Sequence, residues 1–378
     1  MIIMALDHVR DFIHRAAMSS SPTDLAVTTP ALFFTRWITH FCAPVFMLTA
    51  GMGAYFYWQQ ARSRRQLSIF LLTRGLWLIV LEVTLMRLAY NFNFTMQYPL
   101  LLLVLWILGA CMICLALLAW LPVRVLALLS IGVILSHNML DGISAAQFGG
   151  GAWFWTLFHQ VGAFPVGPAI VVVGYPLVPW VAVMSLGFCA GRIYQLDAEA
   201  RRRLLLRVGL GLTAAFVVVR AANVYGDPSR WSVQPNAVFT ALSFLNTTKY
   251  PPSLSFLLMT LGPALLLLWR FDSRTFATGN PLVVFGRVPL FFFVTHFFLA
   301  HLAAVVLAWT RYGAATRAFQ FHPVPSMGGE RALYPADFGY GLWVAYAVWL
   351  GIVAVLYPAC KWFAHVKATR HAWWLRYL

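Results

Sequence analysis

The sequence has few charged residues, and acidic residues are the scarcest of them. Only 10% of the 378 residues are charged, with 11 Asp and Glu against 27 Lys and Arg, whereas 61% are hydrophobic. A soluble globular protein has roughly 25% charged residues. This chain therefore cannot cover a water-facing surface, and its composition predicts a polytopic membrane protein.

The few charges are unbalanced and give a formal net charge of +16. In a soluble protein such an excess of positive charge would suggest nucleic-acid binding. Here the arginines fall mostly between apolar runs, where they set the orientation of spans and contact anionic lipid headgroups. The expected partner is therefore a lipid bilayer and not a nucleic acid.

The five cysteines all lie inside or at the edge of apolar runs. Cys111 and Cys114 form a CxxC pattern, but this pattern sits within a continuous apolar segment. We interpret the two as small buried side chains and not as a redox or zinc pair. No spacing indicates a metal site, and neither an internal repeat nor a separate soluble domain is evident, so residues 1–378 are expected to form one integral-membrane domain.

Ten apolar segments are evident, and helices are the economical way for such segments to cross a bilayer because each satisfies its own backbone groups. We predict an all-α polytopic bundle of about 10 transmembrane helices. The motifs AGMGA around Gly51 and GLGL around Gly209 indicate close helix packing. The segments lie near residues 1–16, 32–58, 67–90, 99–121, 122–139, 168–193, 203–223, 252–271, 281–309 and 338–364.

Basic residues predict the orientation of these spans. With ten spans, the Arg-rich and Lys-rich connections all fall on one side, which is therefore predicted to be cytoplasmic and to hold both termini. The longest connections fall on the opposite side and are rich in Gly, Pro, Trp and Phe, which favours folded loops over disordered ones. These connections are residues 17–31, 140–167, 224–251 and 310–337.

Ionisable residues within the first segment are costly, at roughly 2.5–3.5 kcal/mol each at the centre of a membrane helix. Asp7, Arg10, Asp11 and His14 follow the spacing i, i+3, i+4, i+7 and so share one helix face, with His8 slightly off that line. We expect this face to point into the bundle or into a wet cavity.

Two interpretations of these charges remain open. Asp7–Arg10 and Asp11–Arg15 have the spacing of ion pairs, so a structural salt-bridge ladder could account for the carboxylates. Further ionisable residues occur in later segments: Glu82 and Arg87 are interpreted as structural, whereas His296 and His301 could be either core histidines or functional groups. Arg36 and His40 occupy the second segment.

Several long blocks of the sequence resemble the bacterial relatives of heparan-alpha-glucosaminide N-acetyltransferase, part of a larger group of transmembrane acyltransferases that includes the acyltransferase type 3 proteins. The resemblance extends over nearly the whole chain. The blocks that carry it are MALDHVRDFIH, PTDLAVTTPALFFTRWITHFCAPVFMLTAG, YPLVPWVAVMSLGFCAGRIY, LNTTKYPPSLSFLLMTLGPALLLL and FGRVPLFFFVTHFFLAHL.

The resemblance implies a multi-pass enzyme of the bacterial inner membrane that takes acetyl-CoA or another acyl-CoA from the cytoplasmic side. An essential His near the outer end of an early helix promotes transfer to an amine or hydroxyl of a carbohydrate. By motif position, Asp7 stands where the family has a polar residue, and His14 is the nearest match to the His that follows. The spacing differs from the family pattern, and His8 is the rival for that position.

The chemistry of these residues fits acyl transfer from a thioester. Neutral imidazole is a suitable base for an incoming amine or hydroxyl near neutral pH. We predict His14 as this base, with Asp11 or Asp7 orienting its ring in the manner of a catalytic triad. His8 and His40 are predicted to lie beside it.

An alternative function is a transporter or flippase for a small anionic or lipid-linked substrate, because intramembrane Asp, His and Arg also form proton relays. Such proteins often have broken helices in two matching halves. The breaks in GYPLVPW and CAPVF do not occupy equivalent halves, so the enzyme is favoured. The acceptor, the acyl chain length and the choice between monomer and homodimer stay open.

Replacing His14 with Ala is expected to abolish acyl transfer without reducing the amount of folded protein, because the base would be lost while the helices remain. Acyl transfer and the monodisperse yield of purified protein are the two measurements. Full activity in the variant would contradict the assignment.

Overall fold

A computed structural model describes residues 1–370, 372 and 374–375. Fifteen α-helices and one small sheet are present in that part of the chain. The helices are α1 (Ile2–Ile13), α2 (Pro30–Trp37), α3 (Cys42–Ala61), α4 (Arg64–Leu81), α5 (Arg87–Asn91), α6 (Val104–Leu118), α7 (Val123–Ser136), α8 (Ala152–Phe158), α9 (Trp180–Ala190), α10 (Ala198–Ala222), α11 (Ala237–Leu245), α12 (Leu254–Asp272), α13 (Pro281–Arg287), α14 (Pro289–Tyr312) and α15 (Leu342–Thr369).

The predicted class, an all-α membrane protein, is confirmed. Among the described residues, 7 helical stretches are long and apolar enough to cross a bilayer, and many of their large side chains are exposed, as contact with lipid requires. The count of ten spans stays a prediction. The candidate spans are Pro30–Ala61, Arg64–Asn91, Val123–Leu140, Ala198–Ala222, Leu254–Asp272, Pro289–Ala318 and Leu342–Thr369, and a shorter apolar helix covers Val104–Leu118.

Three predicted segments differ from the structure. The segment near 99–121 begins with a short β-strand, Leu100–Leu102, ahead of α6. The segment near 168–193 begins with a β-strand, and its helix, α9, has only 11 residues. Pro176 and Pro179 precede this helix, and the β-branched run 170–173 favours a strand. The segment near 281–309 is divided between α13 and α14 at Val288, immediately before Pro289.

One compact unit consists of Met1–Thr39, Val83–Pro99 and the described residues from Thr275 onward. In it α1 packs against α14 and α15, and α14 also packs against α5. The indole of Trp349 on α15 donates to the carbonyl of Ile2 at the start of α1, with a distance of 2.8 Å. The unit thus packs the short helix α1 against two long apolar helices, α14 and α15.

The other compact unit consists of His40–Glu82 and Leu100–Arg274. Its main helix pairs are α10 with α12, α4 with α6, and α3 with α9. Its sheet has the order β1-β3-β2, in which β1 is parallel and β2 antiparallel to the central β3. The strands are β1 (Leu100–Leu102), β2 (Gly162–Val166) and β3 (Ala169–Val173).

Glu82 and Arg87 are both structural, as predicted, and each contacts backbone. The Glu82 carboxylate accepts the amides of Leu105 and Trp106 at 2.7 and 3.0 Å and so caps the first turn of α6. Arg87 donates to the carbonyls of Thr95 and Tyr98. The carboxylate of Glu82 therefore satisfies amides at the start of a helix, and the guanidinium of Arg87 satisfies carbonyls of a loop.

Glycines allow two helix pairs of this second unit to approach closely. A Cβ added at Gly51 of α3 would collide with the backbone of Met184 and Phe188, and one added at Gly75 would lie 2.6 Å from the carbonyl oxygen of Gly109. Small residues at such crossings let helix backbones meet within a membrane. The close packing predicted around Gly51 is therefore confirmed.

Gly51→Ala is expected to lower the thermal unfolding temperature of the purified protein, because its methyl group would force α3 and α9 apart. Gly53→Ala on the same helix is the matched control, since a Cβ there has open space within 4 Å. The control should be neutral or slightly stabilising. Equal unfolding temperatures for the two variants would contradict this account of the crossing.

Candidate functional site

The polar face predicted for α1 is present. The helix covers Ile2–Ile13. Three ionisable residues are buried here, namely Asp7 and Arg10 on the helix and His14 directly after its last residue. Apolar residues such as Val9 and Phe12 occupy its other faces and are fully buried. The face is therefore an internal feature of this unit and not an exposed end of the chain.

An ion cluster forms on this face and explains how the carboxylates are tolerated. Arg10 donates to Asp7 at 2.8 Å and to Asp11 at 2.7 Å, and Arg36 binds the second oxygen of Asp7. The side chain of Arg10 is only 2% exposed and that of Asp7 only 7%. Two carboxylates and two guanidiniums thus neutralise one another inside the unit, which gives the predicted Asp7–Arg10 pair a structural role.

Helix α2 supplies Arg36 to this cluster. The helix begins where Thr29 accepts the amide of Leu32 and Pro30 takes the first helical position. On the same helix, Thr35 shares a hydrogen bond of 2.7 Å with the hydroxyl of Tyr346. These local signals fix the direction of α2 and so bring Arg36 to Asp7.

His14 lies where α1 ends and a short 3₁₀ turn begins. Its Nδ1 accepts the amide of Ala16 at 3.2 Å, so the ring caps that turn. On either side of it the backbone bonds to Tyr340, whose amide donates to Ile13 and whose carbonyl accepts from Arg15. Because Nδ1 is the acceptor, the neutral ring carries its proton on Nε2.

A carboxylate bound at Nδ1 of His14 requires the opposite tautomer of the ring. The sequence predicts that Asp11 or Asp7 orients the ring, and either could do so through Nδ1–H only with the proton on Nδ1. The contacts of these carboxylates with Arg10 and Arg36 assign them to the ion cluster. The role of His14 as base stays a prediction.

His8 contacts a histidine that is distant from it in the sequence. Its Nδ1 lies 2.6 Å from Nε2 of His296 on α14, and the two rings are inclined by 23°. Phe297 stacks on His8 with 4.0 Å between the ring centroids. His296 is fully buried, whereas His8 is partly exposed. The sequence alone identifies His296 as a histidine within an apolar segment, but only the packing of α1 on α14 identifies His8 as its partner.

His301, one and a half turns further along α14, is a satisfied core histidine. Its Nδ1 donates to the carbonyl of Ala89 at 2.9 Å. The ring is stacked between Phe92, at 3.7 Å, and Phe12, at 4.9 Å. Of the two interpretations left open for it, the structural one accounts for these contacts.

His40 belongs to the other compact unit. It lies just before α3, is 3% exposed, and has its ring centroid 5.4 Å from that of Phe256. Its predicted place beside His14 stays a prediction. The structure therefore places Asp7 and Asp11 in the ion cluster on α1, pairs His8 with His296, and leaves His14 at the end of the helix in contact with backbone.

The fold and these side chains define a class, namely a multi-pass helical membrane protein with buried imidazoles and a neutralised ion cluster on a short internal helix. Residues 12–223 match the family described as heparan-alpha-glucosaminide N-acetyltransferase, catalytic. Since the match covers more than half of the chain, the protein belongs to that family. Searches of curated proteins and of solved structures give no match.

The family match includes His14 and His40 but begins after Asp7, His8 and Asp11. His296 also lies outside the matched range. The family therefore indicates a membrane-embedded transferase, whereas only the contacts around α1 bear on individual residues. Within the described residues no group of three or more His, Cys, Asp or Glu side chains is arranged to hold a metal ion.

Asp7→Asn is expected to destabilise the protein strongly, by about 3–5 kcal/mol, because it leaves the buried Arg10 and the partly buried Arg36 without a full counter-charge. Asp337→Asn is the matched control, since its ion pair with Arg311 is exposed and worth about 0–1 kcal/mol. Unfolding temperatures in detergent compare the two variants. A similar small loss in both would show that the cluster contributes little.

Proposed function

We propose that this protein is a membrane-embedded acyltransferase that moves an acetyl or related acyl group from acyl-CoA to an amine or hydroxyl of a carbohydrate. The family match supports an acetyltransferase-type membrane enzyme. The observation that supports this chemistry is the presence of two histidines, His8 on α1 and His14 directly after it, each with a defined hydrogen-bond partner.

The reaction needs one proton acceptor and no external oxidant or reductant. The acceptor nitrogen or oxygen attacks the thioester carbonyl carbon while an imidazole takes its proton. The C–S bond then breaks, the acyl group stays on the acceptor, and the proton passes to sulfur to give CoA thiol. An imidazole suits both proton transfers because its ordinary pKa lies close to neutral pH.

The two α1 histidines present different nitrogens to a substrate. With its Nδ1 occupied by the Ala16 amide, neutral His14 presents an N–H at Nε2 and can donate to the acyl oxygen. In the role predicted from the sequence it would instead have to release Nδ1 and accept a proton. Comparing variants at both positions tests whether each imidazole takes part in the transfer.

Sidedness forms part of the proposal. Acyl-CoA approaches from the cytoplasm, the carbohydrate binds at the outer side, and the protein lies in a bacterial inner membrane with both termini cytoplasmic. The supporting observation is the distribution of basic residues, since the connections predicted to be outer carry few of them. A protease or labelling reagent applied to intact spheroplasts would test it.

The detergent-purified protein is expected to acetylate one or more amino sugars in a panel that includes glucosamine, using radiolabelled acetyl-CoA. It should release one CoA thiol per acetyl group transferred. His8→Ala and His14→Ala should each lower kcat by about 10²–10⁴-fold. His365→Ala is the control, because that side chain is exposed on α15.

Two outcomes would contradict the proposal. Movement of a substrate across liposomes without consumption of thioester would favour the transporter. Transfer at the full wild-type rate in both α1 variants would show that neither imidazole takes part.

A further inference from the structure

The His8–His296 contact joins two imidazoles from elements nearly three hundred residues apart in the sequence. A distance of 2.6 Å between Nδ1 of His8 and Nε2 of His296 requires one hydrogen between the two atoms. Which ring supplies it decides the chemistry of both, because each neutral imidazole has one N–H and one lone pair.

The second nitrogen of His296 settles this choice. Its Nδ1 lies 2.9 Å from the carbonyl oxygen of Phe292, one turn earlier on α14. A carbonyl can only accept, so Nδ1 of His296 carries the hydrogen and Nε2 of the neutral ring carries the lone pair. The hydrogen shared with His8 therefore comes from Nδ1 of His8, and its Nε2 has the lone pair.

Packing holds this arrangement in place. His296 is fully buried, and a second proton on it would put a positive charge into an apolar environment. Phe297 stacks on the His8 ring and Phe293 meets it edge-on, with ring centroids 6.3 Å apart. His8 is partly exposed, unlike the fully buried His296.

We infer that His296 is a positioning residue that keeps the proton of His8 on Nδ1, and that Nε2 of His8 is the base of the acyl transfer. The inference rests on the proposed function. Nε2 of His8 takes the proton of the amine or hydroxyl as the acyl bond to the acceptor forms, and returns it to the sulfur when the C–S bond breaks. His296 keeps its own proton throughout and accepts the Nδ1–H of His8.

The neutral ring of His14 has the opposite tautomer. Its proton lies on Nε2, the reverse of the tautomer assigned to His8, because its Nδ1 accepts the Ala16 amide. The lone pair thus lies on Nε2 of His8 but on Nδ1 of His14.

Two substitutions of His296 distinguish its hydrogen bond to His8 from its contribution to packing. In His296→Gln the amide oxygen can still accept from Nδ1 of His8, whereas in His296→Leu nothing can. We expect kcat with acetyl-CoA and glucosamine to fall on the order of 10²-fold in the Leu variant and less than about tenfold in the Gln variant. KM for acetyl-CoA should stay the same in both, because the substrate still binds.

His301→Leu is the matched control for burial. His301 is also buried on α14 and its Nδ1 also donates to a carbonyl, but it contacts neither His8 nor His296 in the hydrogen bonds and ring contacts described. We expect it to lower the unfolding temperature at least as much as His296→Leu while leaving kcat unchanged. Equal losses of kcat in the two Leu variants would overturn the inference and assign His296 to packing.

NMR can determine the histidine tautomers without any measurement of catalytic activity. In protein labelled with ¹⁵N-histidine, the His8 resonances, assigned by their loss in His8→Ala, should show protonated Nδ1 and bare Nε2. This signature should persist in His296→Gln and His301→Leu and change in His296→Leu. A wild-type His8 protonated on Nε2 overturns the inference. If wild type shows the expected signature but transfers no acyl group to any carbohydrate amine or hydroxyl, the proposed function fails, whereas the hydrogen bond by which His296 positions His8 is confirmed.

Discussion

The cost of placing charge in an apolar interior is the constraint on which the rest of this structure depends. Asp7, Arg10, Asp11 and Arg36 are ionisable side chains in a helical membrane protein, and their mutual contacts remove most of that cost. Because Arg36 comes from α2, the same contacts also fix α2 against α1 within one unit. The ion cluster thus holds in place the helix that carries His8 and ends at His14.

Histidines of this unit have different roles because their ring nitrogens have different partners. His301 donates to a carbonyl and lies between two aromatic rings, so it stabilises packing. His14 accepts a backbone amide and ends a helix. His8 and His296 share a hydrogen, which orders both rings. Residue type alone makes all four equivalent, whereas the partner at each nitrogen decides which can accept a proton.

Much of the helical architecture could be predicted from local sequence, since a long apolar run must satisfy its backbone internally. The prediction was wrong where local signals competed, as at residues 168–193, where β-branched residues and two prolines gave a strand and a short helix. Part of the site was also predictable: the spacing of Asp7, Arg10, Asp11 and His14 placed them on one face. Their partners were not, because Arg36 and His296 meet α1 only through tertiary packing.

The sequence by itself determined that this is a helical membrane protein and that its first helix carries a costly polar face, because composition and the 3.6-residue period act locally. Only the tertiary structure decided what that face does. Arg36 takes up the charge of Asp7, and α14 brings His296 to His8. The reason is physical: the proton position on an imidazole is set by its hydrogen-bond partners, and these come from residues distant in the chain.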